Sequence, residues 1–87
     1  MTYRVIVAAP ARRRLDRLPD GMAAAVFEFM SGPLGEHPDR VGRPLGGELE
    51  GRFGARRGDY RIVYLIEDEI VTVTVVRIAH RREVYRP

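Results

Sequence analysis

Gly51-Arg52-Phe53-Gly54-Ala55-Arg56-Arg57-Gly58-Asp59-Tyr60-Arg61-Ile62-Val63-Tyr64 contains both halves of a β-hairpin. A charged strand runs up to Gly58-Asp59, a pair suited to a two-residue hairpin turn. A second strand then alternates, with Tyr60, Ile62 and Tyr64 on one side and Arg61 and Val63 on the other. Arginine recurs at 52, 56, 57 and 61. Its planar fork donates two parallel hydrogen bonds and keeps its charge at any cellular pH, so a sheet carrying several such forks suits a polyanion.

Reading outward toward the C-terminus, the second strand continues to Glu67 through Leu65 and Ile66. Glu67-Asp68-Glu69 makes an acidic turn, and a long strand runs from Ile70 to about His80. With Asp68-Glu69 as a two-residue turn, Ile66 opposes Val71 and Arg61 opposes Val76. Arg61 then shares a face with Val76, Ile78 and His80. Arg81 joins that face only where the strand has ended or a bulge shifts its parity.

Toward the N-terminus, Gly35 to Gly47 is loop-like, with Pro38, Pro44 and several glycines. Before it lie two helices. Pro10 opens the first, which carries Leu15 and Leu18 on one face and arginines elsewhere, and Pro19 stops it. Asp20 is placed to cap the second. Met22, Ala23, Val26, Phe27, Phe29 and Met30 give that helix a broad apolar stripe, and Gly32-Pro33 ends it. Thr2 to Ala8 is an opening strand, with Tyr3, Val5 and Val7 on one face and Arg4 and Ile6 on the other. The order β-α-α-β-β-β predicts an α+β domain with a helical hairpin packed on one face of a mostly antiparallel sheet. The opposite face is left open to a ligand.

Eighty-seven residues make a single domain, 1–87. A chain this short buries only roughly 60–65% of its unfolded surface, so its core is thin. It has no cysteine, which excludes disulfides and thiolate metal sites and fits a reducing, cytoplasmic setting. The opening residues lack the basic leader and apolar run of a signal peptide. The run around Ile70 to Ile78 falls far short of the ~20 apolar residues of a membrane helix, so no membrane partner is expected. The net charge is +3, the pI about 9.9, and every basic side chain is arginine. After Glu50 the arginines outnumber the acids.

The chain closes on His80-Arg81-Arg82-Glu83-Val84-Tyr85-Arg86-Pro87. This stretch is too charged for a core and places acid–base groups beside cations where the last strand ends. Other chemistries lack their residues. There is no glycine-rich loop followed by Lys-Ser/Thr. His37 and His80 lack the spacing or cysteine partners of a zinc site. Ser31, the sole serine, has no nucleophile context. No metal or other cofactor is expected.

Ala55-Arg56-Arg57-Gly58-Asp59-Tyr60-Arg61-Ile62-Val63-Tyr64, with Ile78-Ala79-His80-Arg81-Arg82 and Val84-Tyr85-Arg86, resembles the RelE/ParE toxin superfamily, in particular actinobacterial RelE-type toxins. The likeness extends over Ala11-Arg12-Arg13, Val41-Gly42-Arg43-Pro44-Leu45 and Glu48-Leu49-Glu50-Gly51. It implies a RelE-like fold and the toxin half of a type II toxin–antitoxin pair. It implies cleavage of mRNA in the ribosomal A site, inhibition of translation, and growth arrest. It also implies neutralisation by a RelB-like antitoxin, with operator DNA bound only through that complex. By this resemblance Arg61 and Arg81 are catalytic arginines and Tyr85 a catalytic tyrosine. Arg52 and Arg56 match basic RNA-binding positions, while a further basic position of the family meets Gly54. Arg57, Arg82 and Arg86 extend the expected RNA-binding set.

The chemistry implied is attack of a ribose 2′-OH on the adjacent phosphate. Arginines neutralise the growing charge, with no need for a metal. Arginine cannot be the base, which leaves Tyr85, His80 or Glu83. The family favours Tyr85, whereas His80 has the more suitable ordinary pKa. A ParE-like toxin that inhibits DNA gyrase and cuts nothing is the alternative.

Overall fold

The structure is a computed structural model that describes residues 2–84. Its order is β1 (Arg4–Val7), α1 (Ala9–Leu15), α2 (Asp20–Ser31), α3 (Pro33–Glu36), β2 (Arg43–Pro44), β3 (Phe53–Arg57), β4 (Tyr60–Glu67), β5 (Thr72–His80) and α4 (Arg81–Val84). The strands form one sheet in the order β1-β5-β4-β3-β2. β1 runs parallel to β5, and the other neighbours are antiparallel. The expected α+β layout is what forms, with two short helices and a two-residue strand added to the six elements read from the sequence.

One face of the sheet carries Ala55, Ile62, Tyr64, Val73, Val75 and Ile78. These pack against Ala11, Leu18, Val26, Phe29, Met30 and Leu34 from the helical side. The predicted alternation of β1 and β4 holds. The helix stripe holds for Val26, Phe29 and Met30, but Phe27 is 64% exposed. Asp20 is the first helical residue and not the cap, because Pro19 occupies the cap position and no side chain bonds there. Its carboxylate still sits in the first turn, where the helix dipole favours it.

Two hairpin details set the site. Arg57 pairs with Tyr60, so Gly58-Asp59 is a two-residue loop. Gly58 has a φ of 58°, and Asp59 is not in the left-handed region; that combination matches a type II′ turn, whose first position glycine occupies without strain. The acidic connection is longer than its sequence suggested. Asp68–Ile70 forms a 3-10 turn and Val71 is left-handed, with a φ of 48°. The β4–β5 register therefore departs from the expected one. Ile66 pairs with Val73, and the register shifts between Val63 and Tyr64, where the partners jump from Arg77 to Val75. Val76 is the extra residue of a β-bulge, and Arg61 pairs with Ala79.

Gly35 to Gly47, read as loop, hides β2. Tyr64 Oη donates to the Pro38 carbonyl at 2.6 Å, and its ring stacks on Phe53 with centroids 5.8 Å apart. Gly42 lies against both that hydroxyl and the Gly54 carbonyl, so close that any Cβ would collide with them. This close approach brings Arg43 opposite Gly54.

Candidate nucleic-acid interface

Alternation assigns each arginine to a face. The strand pairs Arg56–Arg61–Ala79 and Arg43–Gly54–Val63–Arg77 lie on the face away from the helices. Arg52, two residues before Gly54, points to the same side. Val63 and Ala79 are buried yet stand outside the helix-side core. They give this face an apolar floor flanked by strand positions that carry arginine.

Arg61 is half-buried and leans across the sheet. A Cβ placed on Gly54 would lie 3.3 Å from Arg61 Nε and 3.1 Å from the Leu45 side chain. The missing side chain of Gly54 is thus the space through which Arg61 reaches toward β2. Arg52 is half-buried too, and its Nε is enclosed without a hydrogen-bond partner among the described residues. Arg56 is exposed beside Arg61.

The other predicted residues separate from this group to different degrees. Arg57 belongs to the helix-side face: its guanidinium carbon lies 3.9 Å from the Phe29 ring centroid, and it donates to the Arg56 carbonyl at 2.5 Å. The expectation that His80 shares a face with Arg61 is overturned by the bulge at Val76. His80 pairs with Tyr60 on the helix side, its ring edge-on at 5.2 Å. Its Nδ1 accepts the Arg82 backbone N–H at 3.2 Å. The strand ends at His80, so Arg81 opens α4 at the rim of the sheet. Its backbone N–H donates to the Asp59 carbonyl at 2.7 Å, and its guanidinium stands 3.7 Å from the Asp59 carboxylate. Both charges are exposed, so that pair is weak and a phosphate can displace it. Arg82 is exposed on α4. Tyr85 and Arg86 lie outside the described residues.

A bidentate ion pair holds α4 in position. Arg14 of α1 donates through both terminal nitrogens to Glu83, one bond being 3.0 Å long. Hydrogen bonding to Arg14 holds the Glu83 carboxyl below its usual range, and Glu83 raises Arg14 in return. Glu83 also accepts the His80 backbone N–H at 3.4 Å. Held by Arg14 and with its proton affinity lowered by that pairing, Glu83 acts as a tether for α4 and is a poorer base than an unpaired carboxylate. Beside this link a cleft of about 350 Å³ opens between α1 and the edge of β5, lined by Arg13, Arg14, Arg17, Arg77 and Glu83. Tyr64, enclosed in the core, has its hydroxyl pushed up to about 12 by burial and by Asp39, so it stays neutral. Among the described residues no cluster of three or more His, Cys, Asp or Glu side chains could hold a metal ion. None of the described helices is long and apolar enough to cross a membrane.

Sequence reasoning passed over Arg43, Arg77 and Arg14. Arg77 could have been found from the alternation of the last strand once the bulge was known. Arg43 had no signal, because its strand is only two residues long.

Comparison with known proteins agrees with this geometry. Residues 5–85 match the family described as the ParE toxin of the type II toxin-antitoxin system parDE. The chain is 50% identical over 86 residues to Toxin RelG of Mycobacterium tuberculosis, covering 99% of each protein. It is 50% identical over 84 residues to Toxin RelE of the same organism, covering 97% of this chain and 87% of the relative. Its structure superposes on the toxin–antitoxin complex RelBE2 of M. tuberculosis with a TM-score of 0.88 and 49% identity, over 93% of this chain and 100% of the matched one. The chain belongs to the RelE/ParE superfamily, as a RelE-type toxin of a type II toxin–antitoxin system.

Proposed function

We propose that this toxin is a ribosome-dependent endoribonuclease that cleaves mRNA in the A site without a catalytic metal. One observation carries the reading: Arg61 leans over Gly54 on an open, apolar-floored sheet face that also carries Arg52 and Arg56. A phosphate on that floor meets fixed positive charge where water is partly excluded, which is where electrostatic stabilisation is strongest. In the reaction the ribose 2′-oxygen forms a bond to phosphorus while the bond to the 5′-oxygen breaks. The 2′-OH proton passes to a base, and a proton must reach the departing 5′-oxygen. Arg61 and Arg81 neutralise the phosphoryl oxygens as their charge grows from one negative charge toward two. Arg52, Arg56, Arg82 and Arg86 hold the flanking strand. Tyr85 is the base in this reading. His80 is the weaker choice, since its ring faces Tyr60 and its Nδ1 already accepts a backbone N–H.

The partner proposed is a RelB-like antitoxin. Support comes from the M. tuberculosis relative, whose structure was solved as a toxin–antitoxin complex. An acidic segment of such a partner would neutralise the arginine face and shut off RNA access.

The test is cleavage of mRNA on programmed ribosomes by the purified chain. Cuts within the A-site codon are expected, leaving a 2′,3′-cyclic phosphate and a 5′-hydroxyl. A 2′-deoxy ribose at the cut position should abolish them. Intact mRNA together with gyrase-linked DNA breaks would select the ParE-like alternative, which the name of the matched family keeps in view.

A further inference from the structure

We propose that Arg43 is a phosphate-binding residue of this site, supplying from β2 the positive charge that Gly54 does not supply from β3. The proposal rests on the nuclease reading above and adds a residue to it. Three observations converge. First, Arg43 is the direct cross-strand partner of Gly54, so its side chain rises on the same face as Arg61 and Arg56. Second, Gly54 has no side chain to stand between them, and Arg61 uses that gap: its Nε comes within 3.3 Å of the position a Cβ would take. Arg61 therefore reaches from β4 across β3 toward the strand that carries Arg43. Third, Arg43 is exposed, while its backbone is anchored by the seating of Gly42 against the Tyr64 hydroxyl and the Gly54 carbonyl. A guanidinium on an anchored backbone costs less to order around a ligand than one on a free loop.

Arg61 Nε and the Leu45 side chain lie over Gly54, and Arg43 stands opposite it; drawn together there, the two guanidinium groups would repel each other unless an anion lay between them. A phosphodiester meets that requirement, since each arginine can hold one of its two non-bridging oxygens. Arg43 and Arg61 thus act on the same phosphate.

The test compares wild type with Arg43→Ala, Arg43→Lys, Arg61→Ala and Arg40→Ala on programmed ribosomes. Arg40 is an exposed arginine of the preceding loop and serves as the control. Cleavage is measured in single turnover. Binding is measured over a salt series to ribosomes whose A-site codon carries uncleavable 2′-O-methyl riboses. Arg43→Ala is expected to slow cleavage on the order of 10²-fold, the usual effect of removing one charge-stabilising donor. Its binding should show a salt slope shallower by about 0.7, the signature of one lost phosphate contact on a single strand. Arg43→Lys should recover most of both, and Arg40→Ala should match wild type. If Arg43→Ala equals wild type in rate and slope while Arg61→Ala is impaired, Arg43 has no such role and the nuclease reading stands. Equal loss in Arg43→Ala and Arg43→Lys, with a lowered melting temperature, assigns Arg43 a structural role and overturns the proposal. A wild-type chain that leaves mRNA intact overturns both.

Discussion

A methyl-sized gap can matter as much as a charge, and Gly54 illustrates it. An alanine there would crowd the Leu45 side chain and Arg61 Nε, both of them movable ends of long side chains. The position is not left-handed, so replacing glycine also removes freedom from the unfolded chain. Gly54→Ala is therefore expected to keep its melting temperature, with stability unchanged to within about 1 kcal/mol. Its cleavage rate should fall at least tenfold, because Arg61 is pushed off its line. Thermal unfolding and single-turnover cleavage on one preparation check both halves. Tyr64 poses the opposite case, a residue remote from phosphate that holds the β2 approach. Tyr64→Phe leaves the Pro38 carbonyl without its donor and should cost about 1–3 kcal/mol, read by denaturant unfolding. Because the folded hydroxyl titrates near 12 and not near 10, its contribution is complete below pH 10 and is lost as pH rises toward 12. The variant should lack that alkaline loss. Neither role was legible from composition. The resemblance marked position 54 as a departure, and only the packing of Arg61 shows what the glycine allows.

Hairpins and short helices give the intermediate scale. The β3–β4 hairpin was legible because Gly58-Asp59 names its turn and Tyr60 to Glu67 alternates without interruption. The β4–β5 hairpin was not, since Asp68, Glu69 and Ile70 can form either a tight turn or a helical one. The choice between them moves every later cross-strand partner by two residues without changing faces. Here the wider turn slides β5 by two residues and keeps its faces, while the bulge at Val76 flips them, putting Ala79 opposite Arg61 and leaving His80 against Tyr60. β2 was invisible because two residues carry no period. At the other end of β5, α4 is one turn long and too short to persist alone. Its anchors are the Asp59 carbonyl and the Arg14–Glu83 pair. Glu83→Gln should loosen it, read as faster amide exchange at Arg81 and Arg82. Acid should do the same. The Glu83 carboxyl titrates below its ordinary value, so the link is intact above the usual carboxylate range and is lost as pH falls through the depressed one. Protection factors at these amides, taken relative to intrinsic exchange at each pH, should then change less between neutral and acid pH in Glu83→Gln than in wild type.

The whole molecule has little stability in reserve. One helical layer covers one sheet face, and Ile62 sits at the centre with no exposed surface. Ile62→Ala should cost about 2–5 kcal/mol, a large share of the roughly 5–15 kcal/mol that a domain commands. A fall in melting temperature of at least 10 °C is expected by calorimetry for a chain this short. At this scale the sequence was most readable: helix, helix and meander predict helices on one face, and the arginine-rich hairpin predicts a basic opposite face. The parallel pairing of β1 with β5 was not readable, because nothing local in Arg4–Val7 names a partner 68 positions later.

That pairing has a consequence for how the toxin is born. Arg4 meets Thr72, so the sheet acquires its β1 edge only once Thr72 to Val75 have been translated. Such a high contact order delays closure until the final strand has left the exit tunnel. An incomplete nascent chain holds β3 and β4 without β5, and so lacks the strand that flanks Arg61. Under the function proposed above, a chain cut short before Thr72 should be inert, since it lacks the strand against which Arg61 is set.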